Sequence, residues 1–142
     1  MRRSLLVLSG FLFLCSCRQN NRAFDVGTFR DVPREIMAGS FFAEAEGDLE
    51  RGNFLFVQDY DSLGFIRVND KLVKMKLTKS IIDSVGNTMS EVYESPAYQL
   101  RLDVKYINDA GTENYDFEGR LVIEDKRGDT VAKTILGYDL VE

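Results

Sequence analysis

The sequence predicts an all-β fold, a small antiparallel β-barrel or β-sandwich of seven to eight strands. Three observations carry that expectation. Apolar and polar residues alternate with period two over several runs, most cleanly from Tyr98 to Tyr106, as in half-buried antiparallel strands. Turn residues separate these runs at hairpin spacing, the pattern of small sandwiches and barrels. No stretch carries a convincing helical pattern.

The chain opens with Arg2 and Arg3, an apolar run from Leu5 to Leu14, and the ending Leu14-Cys15-Ser16-Cys17. A basic start, a short apolar stretch and a small residue before the cut form the layout of a cleaved secretory signal. An apolar run of about ten residues falls well short of the roughly 20 that span a bilayer. The Leu-x-Ser-Cys ending resembles the lipobox of bacterial lipoproteins, with Ser16 directly before Cys17 and Leu14 three places before it. Bulky Leu14 makes Cys15 the poorer acceptor. The resemblance implies a diacylglyceryl group on the Cys17 thiol, cleavage ahead of it and acylation of the new amine. Several acyl chains hold firmly, because two lipid signals suffice for stable anchoring. Residues 1–16 are therefore expected to be a lipoprotein signal peptide. The expected location is the cell envelope. Arg18 replaces the aspartate that retains enteric lipoproteins in the inner membrane, and no acidic export cluster follows Cys17. Both features imply an outer-membrane anchor with the domain facing the periplasm.

Residues 17–38 read as the lipidated cysteine and a flexible tether, polar, without sustained apolar periodicity and interrupted by Pro33. A single β domain is expected over residues 39–142. Phe41–Glu46 and Asn53–Asp59 are predicted strands joined by a turn over Gly47–Gly52. Tyr60–Leu63 leads into a strand over Gly64–Val68, and Asn69-Asp70 suits a tight hairpin turn. In Lys71–Lys79, Val73, Met75 and Leu77 face one way and Lys74, Lys76 and Thr78 the other. The pattern blurs between Ser80 and Pro96, where Thr88–Glu94 is either an eighth strand or an ordered loop. Tyr98–Tyr106 sets Tyr98, Leu100, Leu102, Val104 and Tyr106 against Gln99, Arg101, Asp103 and Lys105. Asn108–Gly111 supplies turn chemistry. The next strand places Tyr115, Phe117, Gly119, Leu121 and Ile123 on one side, with Gly119 a bulge or bend point. Asp125–Asp129 turns the chain into a last strand over Thr130–Tyr138. Gly64–Lys71 echoes Gly119–Lys126, and shared hairpin grammar explains the echo better than duplication.

Composition narrows the function. Loss of Arg2 and Arg3 takes Lys plus Arg from 18 to 16 against 23 Asp plus Glu, leaving a side-chain charge near −7 on the mature chain. That balance disfavours nucleic acid and anionic headgroups as partners. Both cysteines lie in or beside the leader, so the domain has no disulfide and relies on a core built from its Phe and Tyr residues. Histidine is absent, which removes Ser-His-Asp, Cys-His and His-based metal sites. A protein without enzymatic activity, cofactor or metal is expected, although Asp, Glu, Lys and Tyr chemistry stays open.

Four constellations stand out against this background. Asp59–Asp70 has the opening of a calcium loop, but Leu63 and Arg67 occupy ligand positions and Asp70 is short for the closing bidentate glutamate. Glu44 and Glu46, followed by Asp48 and Glu50, would share a strand face about 7 Å apart, as a solvated surface or a site for a basic protein. Tyr93, Glu94, Ser95 and Pro96 suggest a rim loop, with Tyr93, Glu94 and Pro96 as candidate partner-binding residues. Tyr93, Tyr98, Tyr106, Tyr115 and Phe117 are read as barrel filling in preference to a ligand cavity.

Gly52-Asn-Phe-Leu-Phe-Val57, Gly64–Leu77 and Glu118–Asp129 resemble small lipoproteins of Bacteroidetes-type bacteria, a resemblance that brings no activity with it. Phe65–Leu77 is also similar to the core hairpin of membrane-bound inhibitors of c-type lysozyme. Those lipid-anchored barrels use a Ser-Gly-x-x-Tyr loop; this chain has Ser84-Val85-Gly86 and then Tyr93, at a different spacing. The expected function is a non-catalytic binding or accessory module. It would be held to a membrane by its lipid and would take an envelope protein or small ligand. The alternative is a periplasmic inhibitor of a lysozyme-like hydrolase.

Overall fold

The structure is a computed structural model that describes residues 23–140. The expected signal peptide, Cys17 and Arg18 lie outside the described residues. The elements run β1 (Val26–Gly27), β2 (Gly39–Ala43), α1 (Glu46–Glu50), β3 (Phe56–Asp59), β4 (Leu63–Val68) and β5 (Lys71–Asp83), followed by β6 (Thr88–Glu94), β7 (Tyr98–Tyr106), β8 (Phe117–Asp125) and β9 (Thr130–Leu140).

From β2 to β9 each strand pairs antiparallel with the next. The last then pairs with the first, Gly39 opposite Leu140 and Ala43 opposite Leu136. The result is an eight-stranded antiparallel β-barrel of simple up-and-down order, whose closure removes the exposed edges of an open sheet. The β4–β5 connection is the predicted tight turn: Asn69 and Asp70 both take left-handed backbone, φ 48° and 63°, as a two-residue type I′ hairpin requires.

The inward rows follow the alternation in the sequence. Phe42, Phe56, Ile66, Met75, Leu100, Leu102, Leu121, Ile123 and Ile135 form one buried cluster inside the barrel. Two glycines make room for its large rings. A Cβ on Gly137 would lie 2.3 Å from the Phe42 ring, and one on Gly64 would lie 2.6 Å from the Phe56 ring. A second cluster covers the outer wall, where Phe41, Ala43, Val57 and Phe65 meet Phe29, Ile36, Leu49 and Phe54.

Four expectations need correction. The folded chain begins well before residue 39: Phe24 is 3% exposed within the interior cluster, β1 pairs with the end of β4, and Phe29 and Ile36 are buried. Scattered apolar residues, without any periodicity, anchor this stretch. The strand expected over Phe41–Glu46 ends at Ala43, and a five-residue helix replaces the turn at Gly47. Glu44 and Glu46 therefore do not share a strand face. Gly119 is not a bulge, since the register passes through it unbroken on both sides. Its missing Cβ instead admits the Asp103 backbone, which would sit 2.1 Å away. Finally, β5 continues past Lys79 to Asp83, across a register shift between Leu77 and Lys79.

Candidate functional site at the open end of the barrel

The two ends of the barrel differ. At one end, Phe24 enters the interior cluster and packs on Tyr98, ring centroids 5.4 Å apart. The other end carries the β5–β6 hairpin tip, the end of β7 and the start of β8. There a cavity of about 230 Å³ opens, walled by Ile82, Met89, Val104, Tyr106 and Phe117, with Asp83, Asn87 and Thr88 at its lip.

The shift in β5 builds this wall. After it, Ser80 stands opposite Glu91 and Ile82 opposite Met89, so a strand that had pointed Leu77 inward now points Ser80 and Ile82 inward. Met89 pairs with Val104, and Val104 pairs with Gly119. The inward row therefore runs Ile82, Met89 and Val104 and ends at Gly119, where the Asp103 backbone takes the place of a Cβ. Tyr106 and Phe117 pair across β7 and β8 and close the side, rings edge to face at 5.6 Å and 69°. The hairpin tip stands clear of the barrel, with Ile81 54%, Ile82 72% and Val85 95% exposed. Exposed Ile82 continues the apolar lining of the hollow, whereas Ile81 takes the outer face of the strand.

One inward row deeper, the wall becomes polar. Glu91 is 7% exposed; its Oε2 accepts the Tyr93 hydroxyl at 2.7 Å, and Ser80 Oγ approaches its Oε1 at 3.4 Å. The Tyr93 hydroxyl also meets the Gln58 carboxamide from β3. Burial pushes the Glu91 carboxyl above its ordinary value, and hydrogen bonds from Tyr93, Ser80 and Gln58 offset part of that rise. Burial first, and then the Glu91 charge, push the Tyr93 phenol far above its ordinary range. The described residues contain no group of three or more His, Cys, Asp or Glu placed to hold a metal ion. Asp59 is instead a local cap, its Oδ1 accepting from the backbone N–H groups of Asp61, Ser62 and Leu63.

The residues singled out from sequence are scattered. Tyr93 is no rim residue; at 1% exposed it lies in the barrel interior, because it falls on the inward parity of β6. Glu94 ends β6 and accepts from Gln99 Nε2 at 3.1 Å. Pro96 is exposed in the β6–β7 turn, away from the mouth. Glu44 pairs with Lys133 at 2.9 Å, and Glu46 accepts from Asn114 at 2.7 Å. Ser84, Val85 and Gly86 form the β5–β6 tip while Tyr93 points inside, so they share no loop. The aromatic set divides four ways: Tyr93 fills the interior, Tyr98 meets Phe24, Tyr115 joins the outer cluster, and Tyr106 and Phe117 wall the mouth. Ile82 and Met89 escaped notice, although Ile81-Ile82 directly before the turn-forming Asp83–Asn87 stretch is a legible signal.

No family model, curated protein or solved structure matches this chain.

Proposed function

We propose that this protein is a lipid-anchored cell-envelope lipoprotein whose barrel is a non-catalytic binding module, holding the apolar part of a small amphiphile at its open end. One observation supports the reading above the rest. Five apolar side chains converge on an open hollow at the end opposite the Phe24 plug. Small-molecule sites are mostly apolar walls with a few polar groups at the opening. Eight strands is also the barrel size that either fills with side chains or holds one small ligand. This barrel is packed through most of its length and hollow at the mouth.

The anchor rests on the sequence Leu14-x-Ser16-Cys17. Residues 17–22 reach at most about 20 Å when fully extended, and the chain enters the fold at the plugged end. This reading turns the plugged end toward the outer membrane and the mouth toward the periplasm.

The test is titration of the folded domain with an environment-sensitive naphthylamine probe, for the native sequence and for Ile82→Glu, at an exposed position of the cavity wall. Saturable fluorescence, displaced by decanol and lost in the variant without change in thermal unfolding, is the expected result. Absence of saturable binding to the native domain contradicts the reading. Metabolic acyl labelling of the full chain, abolished by Cys17→Ala, tests the anchor separately.

A further inference from the structure

Building on the proposed binding role of the mouth, we infer that its ligand carries a cationic head, an amine on an apolar chain, and that carboxylate-headed chains are disfavoured. The charge lining the cavity is of one sign. Asp83 is the one charged residue among those described as lining the cavity, and none of them is basic. Its carboxylate is fixed at the lip, where Oδ1 accepts the backbone N–H groups of Val85 at 3.0 Å and Gly86 at 3.2 Å.

Asp116 directly precedes Phe117 of the cavity wall. Its Oδ1 accepts from Asn108 Nδ2 at 2.9 Å and its Oδ2 from the Asp139 backbone N–H at 3.1 Å. Asp139 is held in turn by Ser40 Oγ at 2.5 Å. Three carboxylates are thus held in place at one end of the barrel. The nearest basic residue in the strands of the wall is Lys105. It stands in the same cross-strand row as Asp83 and Thr88, two strands from Asp83 and opposite Glu118, and it does not line the cavity.

An amphiphile whose chain enters between Ile82, Met89 and Val104 leaves its head at this lip. A carboxylate head would meet the like charge of Asp83 there, with no basic residue among those lining the cavity. An ammonium head would meet Asp83 and the partly exposed ring of Tyr106, whose π face attracts cations. The overall acidity of the chain acts in the same direction by drawing cations toward the opening.

The experiment compares decylamine, decanol and decanoate, equal in chain length, by displacement of the naphthylamine probe at neutral pH and low salt. Decylamine is expected to bind about tenfold tighter than decanoate, with decanol between them and the gap narrowing as salt is added. Asp83→Asn keeps an Oδ1 acceptor for Val85 and Gly86 while removing the charge, so it should shrink the gap with the hairpin intact. Decanoate binding as tightly as decylamine would overturn the inference, and decanol binding in the same experiment would leave the binding role of the mouth standing. Failure of all three to displace the probe would remove both.

Discussion

Glu91 and Tyr93, two residues apart on β6, hydrogen-bond to each other at 2.7 Å inside a barrel filled mainly with apolar side chains. The pair follows from the alternation of the strand, which points both inward. Tyr93 brings a large ring that packs edge to face on Phe56 at 5.1 Å, and a buried phenol needs a partner for its hydroxyl. Glu91 is that partner, with Gln58 joining from across the barrel.

Removing one half of the pair strands the other. Tyr93→Phe keeps the ring and deletes a donor to a buried carboxylate, which should cost about 1–3 kcal/mol of stability. Urea unfolding of the variant checks it, with an unchanged midpoint as the contrary result.

The pH dependence has a definite sign. Burial raises the carboxyls of both Glu91 and Asp139, with the charge of Asp116 adding to the rise at Asp139. The folded chain then holds those protons more tightly than the unfolded chain. Their contribution is complete below the ordinary carboxylate range of about 4 and is lost as pH rises through the raised folded values. Glu91→Gln, neutral at every pH, should match the native protein near about pH 4 and exceed its stability near about pH 7.5. Denaturation at both values measures the gap, and a gap that does not widen with pH contradicts the argument.

Phe24 lies in the segment that the sequence presents as a tether. Its burial predicts that Phe24→Ala costs about 3–5 kcal/mol, as for any large core truncation. A surface tether residue would cost nothing measurable in thermal unfolding.

Gly137 faces the Phe42 ring, with the Phe41 carbonyl oxygen 2.9 Å from an added Cβ. Backbone on one side and a fully buried ring on the other leave little room to yield. Gly137→Ala should destabilise by about 1–3 kcal/mol through overpacking, read as a lowered midpoint in urea.

Ile82 separates binding from stability. It is 72% exposed yet lines the mouth. Ile82→Ser should therefore shift stability by no more than about 0.5 kcal/mol while weakening probe binding several-fold. A variant that binds as well as the native protein would place the ligand elsewhere.

The barrel was legible where each strand obeys one rule throughout. Tyr98–Tyr106 alternates without exception, and Asn69-Asp70 is turn chemistry at hairpin spacing. Legibility failed between Ser80 and Pro96, for two physical reasons. The register shift after Leu77 exchanges inward and outward positions, so Ser80 and Ile82 occupy the inner face where period two puts Lys79 and Ile81. Glu91 then places a carboxylate at an inward position that the pattern reserves for an apolar residue. The mouth is made from this same stretch, so period two does not reach Ile82 and Met89, while Tyr106 and Phe117 lie on regular strands and read as barrel filling. Helix α1 was missed because five residues carry no periodicity and Ala45 gives no side-chain cap. The buried segment around Phe24, Phe29 and Ile36 was missed because isolated apolar residues among polar ones look the same in a tether.

The most direct measurement is a methyl NMR titration of the domain with decylamine. The account predicts saturable shifts at Ile82, Met89 and Val104 with Val131, Val68 and Leu72 unmoved. Shifts spread evenly over the barrel, or centred away from these three methyl-bearing residues, would contradict a binding site at the open end.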